Sequence, residues 1–373
     1  MKEIKMRVIV SGGGTAGHIY PAVSVVKSLE KQLGKENCTA LFVGAKGKIE
    51  ERIVPKEGYE LVALPVRGLI RSFSFQNIKT VIGVIKSFFT SLRVIKEFKP
   101  NAVIGFGGYA SLPIMLAAKF YNINLYIWEG NSFAGLTNKL LNKYAKRAFV
   151  SFENMERFFD KDKIIISGNP IRDDFSSIEK KSEVALNHFG FSKEQKVLLI
   201  VGGSSGAKAI NNAVLKNIDL LIERDDIGVI WQTGNHYYKE ISDTLESKGK
   251  LNNIYVAPFI ENMKLAYSVC DVITCRSGAS TVTEVSRCKL AAIFVPSSGV
   301  TDDHQTKNAE VVVAGDAAIM FNDNEIADKL VPTALELLSS NQKREDMSQK
   351  IAKFAHSDAA HIIASQLIED FKN

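Results

Sequence analysis

The sequence predicts an α/β protein: two Rossmann-like, doubly wound domains in series, facing each other across a cleft. Three observations carry that expectation. Short β-branched runs alternate with helical patterns along the whole chain, as in parallel strands covered on both faces by helices. Each half opens with the same device, a strand running into a glycine turn and a helix: IVSGGGTAGH from Ile9 and IVGGSSGAKAIN from Ile200. At 373 residues the chain is too long for one ordinary domain and suits two.

In chain order, the strands of the first half read MRVIVSG, TALFVG, NAVIGFGG, LYIWEG and RAFVSF. Those of the second read KVLLIVGG, IGVIWQTG, NIYVAPF, DVITCRSG and LAAIFVP. The segment ISGNPIRDDF has the Gly/Asn/Pro content of a linker, which places an N-terminal domain at 1–168 and a C-terminal one at 169–342. Residues 343–373 read as helix, with apolar residues three to four apart and no strand to follow, a segment able to pack back on the N-terminal domain.

A hydrophobic content of 46% with 24% charged residues is ordinary for a folded chain and argues against disorder. No run approaches the ~20 apolar residues of a membrane span, and charged residues leading straight into a strand give no secretory leader. Cys38, Cys270, Cys275 and Cys288 lack any C-x-x-C spacing and read as free or buried thiols of a reducing compartment. The net charge of +6 conceals an asymmetry. Residues 1–173 hold 26 Lys/Arg against 14 Asp/Glu, or +12, and the remainder 21 against 27, or −6. A basic half joined to an acidic one suits an anionic surface or ligand met by the first half alone.

In open α/β sheets ligands bind beyond the carboxyl ends of the strands, where these glycine turns lie. Gly12, Gly13, Gly14 and Gly17 let a backbone approach a ligand closely and lead to free helix N–H groups; a plain tight turn would use the same residues. A dinucleotide site would want an acidic residue after the second strand, and LFVG runs instead into Ala45 and Lys46. His18 falls in the first helical turn, where the positive helix end favours neutral imidazole and hence a proton acceptor; a capping or packing role is the alternative. A second turn, GFGGYAS with Gly105, Gly107, Gly108, Tyr109 and Ser111, lacks a P-loop lysine. Glu129 and Asn131 follow a strand end, where side chains either meet ligands or cap. In the second half, Ser204 and Ser205 sit in the third turn. CRSGASTVTEVSRC then puts Gly278, Ala279 and Ser280 before a helix with Glu284 one turn in, placed for a ribose diol rather than a phosphate. VPSSGVTDDHQTKNA adds Asp302, His304, Gln305 and Asn308 after another strand. The D-x-D at Asp160-Lys161-Asp162 lies in a charged turn and reads as solvated loop rather than a metal site.

Between Arg71 and Pro100 the chain carries Phe73, Phe75, Ile78, Ile82, Ile85, Phe88 and Phe89, too many for one core-facing stripe, with Lys79, Lys86, Arg93 and Lys96 interspersed. Part of this surface would dip into a bilayer interface while the lysines meet anionic head groups. A buried helix pair with snorkelling lysines is the alternative. The basic first half favours peripheral membrane binding. Basic residues on apolar helices, without a stacking platform, argue against nucleic acid.

GGGTAGHIYPA, GFGGYAS, EGNSFAGLTNK, GNPIR, GGSSGA, CRSGASTVTE and DHQTKNA, in this order, resemble the UDP-N-acetylglucosamine:lipid I N-acetylglucosaminyltransferases of peptidoglycan synthesis, of the GT-B class, over nearly the whole chain. The resemblance implies inverting transfer of GlcNAc from UDP-GlcNAc to the 4-hydroxyl of the muramyl sugar of lipid I, giving lipid II at the cytoplasmic face of the membrane, with no cofactor or metal. It implies His18 or Glu129 as base. It assigns the donor Thr15, Ala16, Gly17, Asn131, Arg172, Ser204, Ile260, the run Ala279, Ser280, Thr281, Val282, Thr283 and Glu284, and Gln305. It gives the acceptor diphosphate Gly13, Gly14, Gly107, Gly108 and Tyr109. Partners would be UDP-GlcNAc, lipid I, the anionic membrane surface and other wall-synthesis enzymes. The sequence departs from the family at Ala16, commonly glycine, and at Trp128 and Gly130, where a histidine and a glutamine are usual. Another GT-B enzyme such as a UDP-GlcNAc 2-epimerase, or a non-catalytic binding protein, is the alternative. The apolar basic helices speak against the first, and the joint presence of His18, Glu129, Asn131 and Glu284 against the second.

Overall fold

A computed structural model describes residues 5–66, 76–171, 175, 178–203, 205–249, 252–297, 303–355 and 358–372, with only the backbone at 16, 76–79 and 81. The chain forms two compact units, one of residues 1–172 and 356–373, the other of 173–355.

The first unit alternates β1 (Met6–Ser11), α1 (Ala16–Leu33), β2 (Cys38–Ala45), α2 (Glu50–Lys56), β3 (Glu60–Leu64), α3 (Gln76–Phe98), β4 (Ala102–Gly105), α4 (Ser111–Phe120), β5 (Asn124–Glu129), α5 (Leu136–Leu141), β6 (Arg147–Val150) and β7 (Ile164–Ile166). All its strands are parallel, in the order β3-β2-β1-β4-β5-β6-β7. The central strands are apolar almost end to end because helices cover both faces. Val8, Val10, Phe42, Ile104 and Trp128 face α1 and α2, while Ile9, Val43, Val103 and Ile127 face α3, α4 and α5.

The second unit holds α6 (Glu183–Phe189), β8 (Lys196–Val201), α7 (Lys208–Lys216), α8 (Asp219–Ile222), β9 (Ile227–Gln232), α9 (Asn235–Ser247), β10 (Ile254–Ala257), α10 (Met263–Val269), β11 (Val272–Cys275), α11 (Ala279–Arg287), β12 (Ala291–Phe294), α12 (His304–Val313), β13 (Ile319–Met320), α13 (Ile326–Ser339) and α14 (Asn341–Ile351). Its parallel order is β10-β9-β8-β11-β12-β13.

The tail expected as one segment from 343 divides. Helix α14 stays in the second unit, and α15 (Ala359–Lys372) belongs to the first, where Ile363, Ala364 and Leu367 join the core beside α1. Ser365 Oγ donates to Gln32 Oε1 (2.9 Å), and the buried Asp370 carboxylate stands 3.6 Å from Lys146 Nζ and 3.8 Å from Arg147 Nε. The change of unit falls at 172/173 rather than 168, since Gly168 still belongs to the first sheet: its N–H donates to Val150 O. In each sheet the strand order reverses once, between β1 and β4 and between β8 and β11. The glycine turns read from the sequence flank those two reversal points, where doubly wound sheets bind ligands.

Candidate functional site

In the first unit the turns after β1 and β4 close on each other. A Cβ on Gly108 (φ +78°) would lie 2.6 Å from Gly13 O, so only glycine permits the approach. Thr15, in extended conformation, caps α1, and His18 follows in its first turn, half-buried. His18 Nδ1 lies 2.9 Å from Gly13 O and 3.3 Å from Thr15 Oγ1. A carbonyl oxygen only accepts, so Nδ1 carries a proton, and in the neutral ring the lone pair is on Nε2. Nε2 lies toward Gly107, where a Cβ would stand 3.4 Å from it.

A carboxylate that the sequence did not single out sits beneath the first turn. Glu50, the first residue of α2, is fully buried. It accepts the N–H of Ala45 at 2.8 Å and that of Gly14 at 3.2 and 3.3 Å. Nothing in the pattern I-E-E-R distinguished it from Glu51. This corrects the assignment of Gly14 to a diphosphate, because its N–H is turned inward. Gly13 is needed for packing: a Cβ there would meet Glu50 Oε1 at 2.5 Å and Ala110 Cβ at 2.9 Å. Tyr109 lies beside the same turn. Burial, with the Glu50 charge second, raises its phenol above the ordinary value and keeps it a hydrogen-bond donor.

Glu129 is brought near this cluster but is fully engaged. Its Oε1 accepts from Asn131 N (3.0 Å) and Nδ2 (3.2 Å), and its Oε2 from Gly135 N (2.9 Å) and Asn138 Nδ2 (2.9 Å). Four donors fill the carboxylate's lone-pair sites. These bonds anchor the loop entering α5, with Asn131 held in that loop. Trp128 is buried, donates from Nε1 to Gly168 O (3.2 Å) and packs on Phe106 at 5.4 Å. Gly17 is exposed in α1, and Ala16 is described by its backbone alone.

In the second unit, Gln232 at the end of β9 braces the turn after β8. Its Nε2 donates to Gly203 O (2.9 Å) and its Oε1 accepts from Ile260 N (2.9 Å). The buried Ile260 thus has its N–H committed, which leaves only its carbonyl for a backbone contact with a base. Ser204 and Arg172 lie outside the described residues, as does Asp302. After β11, Ser277 Oγ donates to Gln305 O (2.8 Å), while Gln305 Oε1 accepts from Ser297 N (3.0 Å). Gln305 therefore ties two loops together. Gly278 caps α11 without a side-chain hydrogen bond, so its first N–H groups are not satisfied by a cap. Ala279, Ser280 and Thr281 are half-buried there. Val282 and Thr283 are buried, and Thr283 Oγ1 donates back to Ala279 O (3.0 Å), so a contact of these two with a donor would run through the backbone of α11. Glu284 is half-buried and accepts from Tyr267 OH at 2.8 Å. Burial first, then the Glu284 charge, holds the Tyr267 phenol well above its ordinary value and so protonated. Neither Gln232 nor Tyr267 carried a sequence signal, since each lies in a run that reads as core.

On α3, Ile82, Ile85 and Phe89 are 47%, 51% and 65% exposed, a stripe at helical spacing, with Lys86 and Arg93 exposed beside it. Phe88 leaves the expected set, since it packs against the core facing α3 and α4. Phe73 and Phe75, and the side chains of Ile78 and Lys79, lie outside the described residues. Leu136 and Leu140 of α5 are also exposed, which the sequence reading missed. Among the described residues no helix is long and apolar enough to cross a membrane. Asp160 is solvated, its carboxyl held below the ordinary value by hydrogen bonds from Lys163 and Asn142.

Residues 8–150 match the glycosyltransferase family 28 N-terminal domain and 197–363 its C-terminal domain. A Bacteroides fragilis protein named UDP-N-acetylglucosamine–N-acetylmuramyl-(pentapeptide) pyrophosphoryl-undecaprenol N-acetylglucosamine transferase is 39% identical over 98% of this chain and 95% of its own length. The crystal structure of Acinetobacter baumannii MurG aligns with a TM-score of 0.76 and 28% identity, over 98% of this chain and 99% of that one. A UDP-GlcNAc 2-epimerase from Neisseria meningitidis aligns at TM-score 0.69 and 16% identity, over 98% and 100%, a likeness of fold alone.

Proposed function

The chain belongs to the family of UDP-N-acetylglucosamine–N-acetylmuramyl-(pentapeptide) pyrophosphoryl-undecaprenol N-acetylglucosamine transferases, and from that premise we propose how it moves GlcNAc from UDP-GlcNAc to the muramyl sugar of lipid I. The observation that carries the activity is identity of 39% running through 98% of the chain, both units included.

The second unit takes the donor. The uncapped start of α11 faces the diphosphate, and Glu284, held by Tyr267, accepts from the ribose diol. Arg172 and Ser204 complete the nucleotide contacts. The first unit takes the acceptor, with the turn Gly107-Gly108-Tyr109 toward its diphosphate. His18 Nε2 removes the proton of the 4-hydroxyl as that oxygen attacks C1 of GlcNAc from the face opposite UDP. The C1–O bond to the diphosphate breaks, its electron pair leaves with UDP, and the α linkage becomes β-1,4. The helix N-terminus and Arg172 stabilise the charge on departing UDP, so no metal is needed. The α3 stripe supports peripheral binding at the cytoplasmic face of the membrane, where the lipid acceptor resides.

The test is transfer of labelled GlcNAc to a lipid I analogue by wild type and His18→Gln. Base removal is expected to lower kcat about 10²–10⁴-fold with UDP affinity retained. Wild-type kcat in the variant would overturn the assignment of the base.

A further inference from the structure

We propose that Glu50 is a positioning residue for the transfer: through the Gly13–Gly14 turn it fixes the tautomer of His18 and leaves Nε2 as the proton acceptor. The inference rests on the reading of His18 as base.

Glu50 is 0% exposed and spends its carboxylate on backbone. Its bonds to Ala45 N (2.8 Å) and Gly14 N (3.2 and 3.3 Å) tie the turn after β1 to the end of β2. The Gly14 N–H is shared between both carboxylate oxygens while Ala45 N holds one of them closely, so a single side chain ties a loop without side chains of its own to the neighbouring strand. Packing removes the remaining freedom. A Cβ on Gly13 would reach Glu50 Oε1 at 2.5 Å, and one on Gly44 would reach Glu50 Cγ at 2.7 Å.

The consequence appears at the other end of the same planar peptide. The Gly13 carbonyl is bounded on one side by Gly108, whose Cβ would be 2.6 Å from the oxygen, and it meets His18 Nδ1 at 2.9 Å. A carbonyl in that place accepts only from the Nδ1–H form. Releasing the Gly14 N–H would let this peptide turn, and Thr15 Oγ1, 3.3 Å from Nδ1, could then donate to the ring and favour the opposite tautomer. The Nε2–H form keeps its lone pair on Nδ1, inside the turn, and leaves none on Nε2 for the acceptor hydroxyl.

The experiment uses the full chain with ¹⁵N-labelled histidine imidazoles, comparing wild type with Glu50→Gln and assigning His18 by His18→Gln. Glutamine keeps the shape and one carbonyl oxygen but turns an NH₂ toward one of the two backbone donors. The expected result is the Nδ1–H tautomer in wild type, a mixture in Glu50→Gln, and kcat at least about tenfold lower. UDP affinity, a property of the other unit, should stay unchanged. Three results overturn the proposal: Nε2–H in the wild type, tautomer and kcat unaltered in Glu50→Gln, or UDP affinity falling together with kcat. Wild-type protein that transfers nothing to lipid I would defeat the functional reading instead, while the imidazole spectrum would still decide the link from Glu50 to His18.

Discussion

A Cβ built on Gly130 would stand inside the van der Waals envelope of the Trp128 ring. The two departures from the family's segment are therefore one change: the indole fills the core and forbids a side chain two residues on. Gly130→Gln alone should abolish wild-type melting behaviour, and Trp128→His with Gly130→Gln should recover most of the loss. A thermal double-mutant cycle should read about 0.5–3 kcal/mol of coupling. At the donor end, Tyr267→Phe removes a hydrogen bond to the Glu284 carboxylate while keeping the ring. Its KM for UDP-GlcNAc should rise roughly 5- to 30-fold, from about 1–2 kcal/mol; an unchanged KM would mean that Glu284 needs no such support. Burial raises the thiols, Cys38 to about 11 and Cys288 to about 12. Native protein at pH 8 should thus resist a thiol reagent that labels all the cysteines in denaturant.

Helix α3 offers its exposed stripe without needing it for the core. Ile85→Glu with Phe89→Glu should leave the melting temperature in place and weaken binding to anionic vesicles more than about tenfold, by analogy with the free energy of burying such side chains. Retained sedimentation with vesicles would move the membrane contact elsewhere. The strands legible in the sequence were mostly the central ones, whose apolar runs are long; β10, an edge strand, was legible from its β-branched pattern despite being half-covered. Those it missed, β3, β7 and β13, all lie at sheet edges, where half-covered or very short strands carry little pattern. Helix α15 was legible as a helix, but its partner was not. Leu367 and Ile363 mark an apolar face without saying that α1 receives it.

Across the whole molecule, the glycine turns were readable because a strand end followed by glycine and a helix start is a local signal. The groups that hold those turns in place come from elsewhere in the chain, Glu50 from α2 and Gln232 from β9, and the partner of Glu284 comes from α10 as Tyr267. Spacing along the sequence cannot show which carboxylate faces inward, nor that Glu129 accepts from four donors in the loop and helix that follow it. The charge division, +12 for residues 1–173 against −6 for the rest, implies that raising salt weakens vesicle binding through the first unit and spares UDP binding to the second. The central claim is transfer of GlcNAc between a donor held by Glu284 and a lipid acceptor. It is tested most directly by following labelled GlcNAc from UDP-GlcNAc into a lipid I analogue, in EDTA, with wild type and Glu284→Ala. The account predicts turnover by the wild type, undiminished by EDTA, and its collapse in the variant. UDP-GlcNAc consumed or bound with no label reaching the lipid would contradict it.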